Sequence, residues 1–360
     1  MKLASVFPFL SWAAPLAGWL LLAGVAAGYS GPYLLLVAVG LIACVLEAVH
    51  HAEVVAARVG EPYGTLILAL AITTIEVALI VSLMIAGGPA TGALARDTVF
   101  AAVMIILNGI VGICLLLGAT RHHEQEFGLY GTSAALTTLA AIAVLTMVLP
   151  NYTATTPGPF YSGPQLAFIS VVSLVLYGTF VLMQTVRHRG YFLPVGAPGD
   201  ETAEAPIPPL RAAWISGVLL LACLGAVVLS AKALAPSVEA MVRAAGAPHS
   251  LVGIIIATVV LMPEGYAALR AARANRLQTS LNLALGSALA SIGLSIPAVA
   301  ILTLATGQKL ELGLDAISTA LLLLSLFIAG LSLSTGRTTV MQGTVHLVLF
   351  AVYLFTTIFP

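Results

Sequence analysis

Eleven apolar runs, each long enough to cross a lipid bilayer, follow one another along this chain. They lie at approximately 11–29, 32–57, 63–87, 95–118, 131–150, 164–186, 211–234, 248–272, 277–306, 313–334 and 338–358. A helix rises ~1.5 Å per residue and the hydrocarbon core is ~30 Å thick, so roughly 20 apolar residues span it. Barrel strands would read as short alternating segments, and these runs are long and unbroken. The residues are 60% hydrophobic and 8% charged, far from the roughly 25% charged residues of a soluble domain. The expected fold class is therefore an all-α polytopic membrane protein with about eleven transmembrane helices. The formal net charge is zero, which leaves no electrostatic case for nucleic acid. Cys44, Cys114 and Cys223 sit singly within apolar runs and read as buried small hydrophobes.

The first run follows Lys2 and ends in "GVAAGYS", a pattern shared with signal peptides. A second run follows at once, so a retained leading helix is expected. If the N-terminus is cytoplasmic, the inside loops carry Lys2, Arg58, Arg121, Arg187, Arg189, Arg211, Arg270, Arg273, Arg276 and Arg337, ten in all. The outside loops carry Arg96, Lys232, Arg243 and Lys309, four in all. Cytoplasmic loops are enriched in Lys and Arg, so the N-terminus is expected inside and, after eleven spans, the C-terminus outside.

The longest polar stretch, Arg187 to Arg211, has five prolines and the acids Asp200, Glu201 and Glu204. It leaves five spans on each side after the leading one. Two halves with an odd number of spans lie in opposite orientations, the geometry of an inverted repeat. The expected division is a leading helix (1–30), a first five-helix repeat (31–190), a cytoplasmic linker (191–210) and a second repeat (211–360).

Two carboxylates stand deep inside apolar runs, one in each half. Glu76 stands near the middle of the third span in "ITTIEVALIVSL", and Thr73, three residues earlier, shares its helical face. Glu264 lies in "LMPEGYAAL" in the second span of the second half, directly after Pro263. An ionised carboxylate inside a bilayer is costly and marks an ion pathway by default. Pro263 deletes one helical hydrogen bond and frees a carbonyl near Val259, as in helices broken to bind cations. Carboxylates with hydroxyl and carbonyl oxygens suit a hard cation such as Ca²⁺ or Na⁺. A carboxylate that takes either a proton or a cation is sufficient for proton-coupled exchange.

Other polar groups lie close in sequence. Ser287, Ser291 and Ser295 recur at helical spacing in the ninth span, with Asn282 nearby, and Asn108 with Gly109 and Gly112 lies in the fourth. Small residues at such spacing also serve close helix packing. Span 2 ends with Glu47, His50, His51 and Glu53. These read as a cytoplasmic-side entrance for protons or cations, or as a polar helix end. They also leave open an intramembrane metalloenzyme, although a zinc site needs three or four converging ligands. "RHHEQEF", Arg121 to Phe127, reads as polar sequence outside the hydrocarbon. A passive cation channel is a further alternative.

Three segments carry a family resemblance: "HHAEVVAARVGEPYGTLILALAITTIEVALI", "RDTVFAAVMIILNGIVGICLLLG" followed by "HEQEF", and "LMPEGYAALRAARANRLQTSLNLALGSALASIGLSIP". They resemble the two α-repeats of the calcium/cation:proton antiporters, in the cation/calcium exchanger superfamily. The branch most similar is the bacterial Cha-type sodium/calcium:proton antiporters. The resemblance covers nearly the whole chain. It implies one leading helix plus two inverted five-helix repeats, and Gly-Asn-x-x-Glu motifs whose glutamates carry cation or protons. Those glutamates map onto Glu76 and Glu264. The Gly-Asn pair does not survive: it falls on Ile72 and Thr73, and on Val260 and Leu261. Gly286 and Ser287 keep the second repeat's Gly-Ser pair, the next polar position falls near Ala290 and Ser291, and Asn108 resembles the first repeat's asparagine.

The expectation is thus a secondary cation:proton antiporter, not an enzyme. It would export Ca²⁺ and/or Na⁺, or K⁺, in exchange for H⁺ across a bacterial inner membrane, with no resident cofactor. Its partners would be the lipid bilayer, inorganic cations and protons. The expected cation- and proton-binding residues are Glu76, Glu264, Asn108, Thr73, Ser287 and Ser291, with Glu76 and Glu264 as the metal ligands.

Overall fold

The computed structural model describes residues 10–60, 63–87, 91–193, 207–244, 246, 248 and 250–359. Eleven long helices follow the eleven apolar runs to within a few residues at most ends: α1 (Leu10–Ala26), α2 (Tyr33–Val59), α3 (Tyr63–Gly87), α4 (Leu94–His122), α5 (Leu129–Tyr152), α6 (Gly163–Arg187), α7 (Leu210–Ala244), α8 (Ser250–Arg273), α9 (Leu277–Thr306), α10 (Ala316–Leu333) and α11 (Val340–Ile358). Nine of these, among the described residues, are long and apolar enough to cross a membrane, and α1 and α3 contain shorter apolar stretches. No strand occurs among the described residues, only two isolated bridges between loop residues. The chain is an all-α polytopic membrane protein. α7 runs about ten residues past the expected end at Leu234, and Pro236 lies inside it.

The helices form two compact units. One unit holds α1, α2, α3 and α7. There α1 docks on α2 and α7: Trp19 Nε1 donates to the Ala222 carbonyl at 3.1 Å and Tyr33 Oη to the Leu21 carbonyl at 2.9 Å. Gly18 permits this approach, since a Cβ at that position would lie 2.6 Å from Cys44 Sγ. The other unit holds α4, α5, α6, α8, α9, α10 and α11. Its centre is α4, of which 83% of the apolar window is buried. Each unit therefore takes helices from both sequence halves, because packing follows helix faces rather than chain order. Asp200, Glu201 and Glu204 of the linker lie outside the described residues.

Local chemistry sets the helix ends. Ser162 with Gln165 and Thr339 with Gln342 form capping boxes at the starts of α6 and α11, satisfying amide groups that have no intrahelical acceptor. Gly307 ends α9 in a left-handed conformation (φ 71°) that glycine alone adopts without strain.

Asp315 caps α10, accepting from the Ser318 amide at 2.9 Å and the Ser318 hydroxyl at 2.7 Å. Burial opposes its ionisation, but the hydrogen bonds from Ser318 outweigh it and hold the carboxyl below its usual range. Its folded pKa is thus the lower one, so the stability it contributes is present above the ordinary aspartate value, about 3.9, and is lost as pH falls through the folded value. Asp315→Ala is expected to cost about 1 kcal/mol at neutral pH. The check is the unfolding midpoint in detergent, and unchanged stability at neutral pH would contradict the cap's role.

Candidate functional site: intramembrane carboxylates and a buried amide

Within the first unit, Glu76 and Thr73 are both 4% exposed on α3. They share one helical face, as their spacing requires. The α2 cluster diverges instead of converging. The rings of His50 and His51 are tilted with centroids 5.6 Å apart. His51 is buried and its Nδ1 lies 3.4 Å from Ser216 Oγ on α7, Glu47 and His50 are half-buried, and Glu53 is exposed. Among the described residues, no group of three or more His, Cys, Asp or Glu side chains is placed to hold a metal ion.

Within the second unit, Glu264 on α8 faces α9, where the Ser287 hydroxyl donates to Glu264 Oε1 at 3.1 Å. Both residues are half-buried, while Ser291, one turn further along α9, is 2% exposed. Pro263 does not break α8: the helix runs continuously from Ser250 to Arg273. Close packing against α4 accompanies this. A Cβ on Gly253 would lie 3.0 Å from the Asp97 and Thr98 backbone, and one on Gly265 would lie 3.2 Å from Ile110 Cδ1. The turn that carries Glu264 thus rests on residues 105–110 of α4.

Those residues form a π turn, closed by an i→i−5 bond from the Val111 amide to the Ile106 carbonyl. π turns inside α-helices are rare and occur frequently at functional sites. Asn108 lies in this one, fully buried. It is hydrogen-bonded to Ser325 Oγ (2.8 Å) on α10 and to His346 Nδ1 (3.3 Å) on α11. His346, Ser325 and Ser332 complete a buried polar cluster that sequence reading missed. The available signal was an imidazole inside the last apolar run, since an ionisable group in a span is a functional candidate by default.

At one end of α4, Arg96 pairs with Asp97 (2.8 Å) and Glu311 and donates to the Gly313 carbonyl at 3.0 Å. Arg96, Asp97 and Glu311 line a cavity of about 420 Å³ together with Asp315 and Ser318. At the other end, Gln125 donates to the Ala272 carbonyl at 2.9 Å, and Gln278 links the Gly128 amide to Asn282. "RHHEQEF" lies there, with Glu126 paired to Arg337 at 2.9 Å on the exposed surface, where such pairs contribute little.

The arrangement suits reversible binding of a hard cation or a proton. Glu264 has the Ser287 hydroxyl beside it in space, and Glu76 has Thr73 on its own helical face. Comparison with known proteins points the same way. The family described as sodium/calcium exchanger protein matches residues 30–186 and 215–359. The chain is 47% identical over 359 residues to y4hA of Sinorhizobium fredii (strain NBRC 101917 / NGR234), named only as an ionic transporter, with 98% of this chain and 97% of that protein covered. It is 36% identical over 324 residues to the sodium-potassium/proton antiporter ChaA of Escherichia coli (strain K12), covering 89% of this chain and 87% of ChaA. Among solved structures, an H⁺/Ca²⁺ exchanger, CAX, shares the fold with a TM-score of 0.72 at 16% identity, covering 97% of this chain and 88% of CAX. With the family matched over both halves of the helical bundle, this chain belongs to the sodium/calcium exchanger protein family.

Proposed function

We propose that this protein is a secondary antiporter that exports a monovalent or divalent cation, Na⁺, K⁺ or Ca²⁺, in exchange for protons. Glu76 and Glu264 carry cation and proton in alternation, and the hydroxyls of Thr73, Ser287 and Ser291 complete the oxygen donors. Asn108 belongs to the same machinery from its π turn. The observation that carries this reading is the Ser287 hydroxyl donating to Glu264 inside a span, in a chain that belongs to a family of cation exchangers.

The chemistry follows from the donor set. A hydroxyl can donate to a carboxylate, as Ser287 does here, or turn its lone pairs toward a cation seated on the same carboxylate. Hard cations accept such oxygens readily. Protonation of the carboxylate removes the charge that holds the cation, so the two ligands compete. The chain's similarity to ChaA favours Na⁺ and K⁺, and Thr73 in place of an amide leaves a weaker donor set for Ca²⁺. We place the protein in a bacterial inner membrane, N-terminus inside and C-terminus outside by its Lys and Arg distribution. An inward proton gradient then drives export.

The test is proton movement across proteoliposomes on addition of each salt. Proton efflux from an acid-loaded interior is expected with at least one of Na⁺, K⁺ and Ca²⁺. Absence of proton movement with all three, in protein reconstituted in its folded state, overturns the reading.

A further inference from the structure

We propose that Glu47 is a proton-binding carboxylate of the first unit, one that exchanges protons and never the transported cation, reached from the Val59 end of α2 past Glu53 and His50. The proposal rests on the antiport reading above and adds a proton-only site to it.

In the sequence Glu47 opens the polar end of an apolar run, but the helix continues well beyond it. Glu47 is the fifteenth of the 27 residues of α2 and lies near its middle. α2 packs on α1, α3 and α7. From the turn that joins α2 to α3, Glu47 lies 12 residues back from Val59 and Glu76 lies 13 residues on from Tyr63. At ~1.5 Å per residue, both stand roughly 18–20 Å along packed, antiparallel helices. An ionisable group inside a span is a functional candidate by default, and this one stands level with the carboxylate proposed to carry cation.

The surroundings of Glu47 suit a proton. Its Oε2 is sealed from solvent and has no hydrogen-bond partner among the described residues, while the residue as a whole is half-buried. The carboxyl is thus closed on one side and open on the other. Beside it, between α2 and α7, lie the buried thiols of Cys44 and Cys223, which are weak donors. An ionised carboxylate bears the full cost of an unsatisfied oxygen in such a wall. A proton removes the charge and most of that cost. The same wall is unsuited to the cation. A hard cation takes several oxygens, thiols suit softer metals, and among the described residues no three acidic, His or Cys groups converge to hold a metal ion.

Titratable groups mark the way in. His50 is half-buried one turn from Glu47, and Glu53 is exposed one turn further, roughly 9 Å from the end of the helix at Val59. Imidazole and carboxylate both gain and lose protons, so burial deepens along a row of groups able to carry one. Of the charged groups among the described residues, only His50 acts electrostatically on Glu47. α1 carries no ionisable side chain. On α3 the acid is Glu76, buried on that helix. On α7, Arg211, Lys232, Glu239 and Arg243 lie at least nine residues from Cys223 along the helix. On α2 itself, His51 Nδ1 lies 3.4 Å from Ser216 Oγ and Arg58 donates to the Pro208 carbonyl at 3.3 Å. No fixed cation therefore holds Glu47 ionised.

The experiment is difference infrared spectroscopy of the protein in lipid bilayers, which separates the C=O stretch of a neutral carboxylic acid from that of ionised carboxylates. The range is between about pH 5 and 9, where buried glutamates titrate. Wild type is expected to show a neutral-acid signal that is absent from Glu47→Gln and fades as pH rises. At constant pH it is expected to be unmoved by Na⁺, K⁺ or Ca²⁺. Glu47→Asp keeps a carboxyl and is expected to shift the signal without removing it, which identifies it even if the glutamine variant does not fold. In proteoliposomes, Glu47→Gln is expected to flatten the dependence of exchange on pH by up to about tenfold per pH unit, and Glu47→Asp to restore it. No difference signal, a signal of constant size across the range, or its loss on adding cation overturns the proposal. So does a pH profile of Glu47→Gln superimposable on wild type. If wild type moves no protons with any cation, the antiport reading falls, and the infrared titration still decides whether Glu47 binds a proton.

Discussion

Proteoliposomes carrying Glu264→Gln or Glu76→Gln are expected to exchange cations for protons at least about 100-fold more slowly than wild type. Glutamine has the size of glutamate, and its carbonyl oxygen can still accept from Ser287 at the 3.1 Å position of Glu264 Oε1. Packing therefore survives the change. On the proposed reading, what is lost is the negative charge that holds a cation and the oxygen that takes up a proton. A hydrogen bond or ligand contact to a charged group contributes about 1.5–3 kcal/mol, and each 1.4 kcal/mol is tenfold. The proton half of the cycle disappears as well, since an amide does not titrate. Glu264→Asp keeps the charge on a shorter stem and is expected to retain part of the activity. Initial rates of proton movement on addition of Na⁺, K⁺ and Ca²⁺ give the measurement. Wild-type rates in either glutamine variant would remove that carboxylate from the mechanism.

The second large effect is structural. Gly343→Ala is expected to destabilise the protein by about 2 kcal/mol and to disturb the Asn108–His346 contact. A Cβ at position 343 would lie 2.5 Å from the Leu116 amide nitrogen and 2.7 Å from Leu116 Cα. Both atoms are backbone within α4, so α11 must move away. The opposing gain from alanine's better helix propensity is about 1 kcal/mol, smaller than a forced repacking of about 1–3 kcal/mol or more. The same contact line includes Gly112, where a Cβ would lie 3.0 Å from His346 Cβ, and Gly109, 3.4 Å from Phe350 Cζ. Gly330→Ala on α10 is the matched control. Among the described residues, no atom beyond its own stretch of helix lies within 4 Å of the added methyl group, and a neutral or slightly stabilising change is expected. Unfolding midpoints in detergent separate the two. Equal midpoints for both variants would mean that α4 and α11 are not held at this distance.

These contacts explain why the candidate site was only partly legible in the sequence. Glu76 and Glu264 stood out because each is a charge in an apolar run, a contrast visible within twenty residues. Ser287 was legible through its helical spacing, and it does meet Glu264. Asn108 was legible as a polar residue beside two glycines, but its partners were not. The glycines read as packing surface, and they seat α11. Pro263 suggested a broken helix, yet α8 continues through it. A missing hydrogen bond is a local cost, and the surrounding contacts of Gly253 and Gly265 with α4 hold the axis in place. His50, His51 and Glu53 are adjacent in sequence, but successive residues on a helix point about 100° apart, so adjacency there works against convergence.

The sequence alone determined the number of helices, their approximate limits and where along its helix each carboxylate sits. These are local properties: twenty apolar residues in lipid have no better option than a helix that satisfies its own backbone. Only the tertiary structure decided which polar groups meet. Asn108 and His346 are 238 residues apart, and their pairing depends on glycines of α4 and α11 that let two backbones approach. Close packing of this kind is set by the complementary shapes of distant surfaces, and no periodicity within one helix encodes its partner.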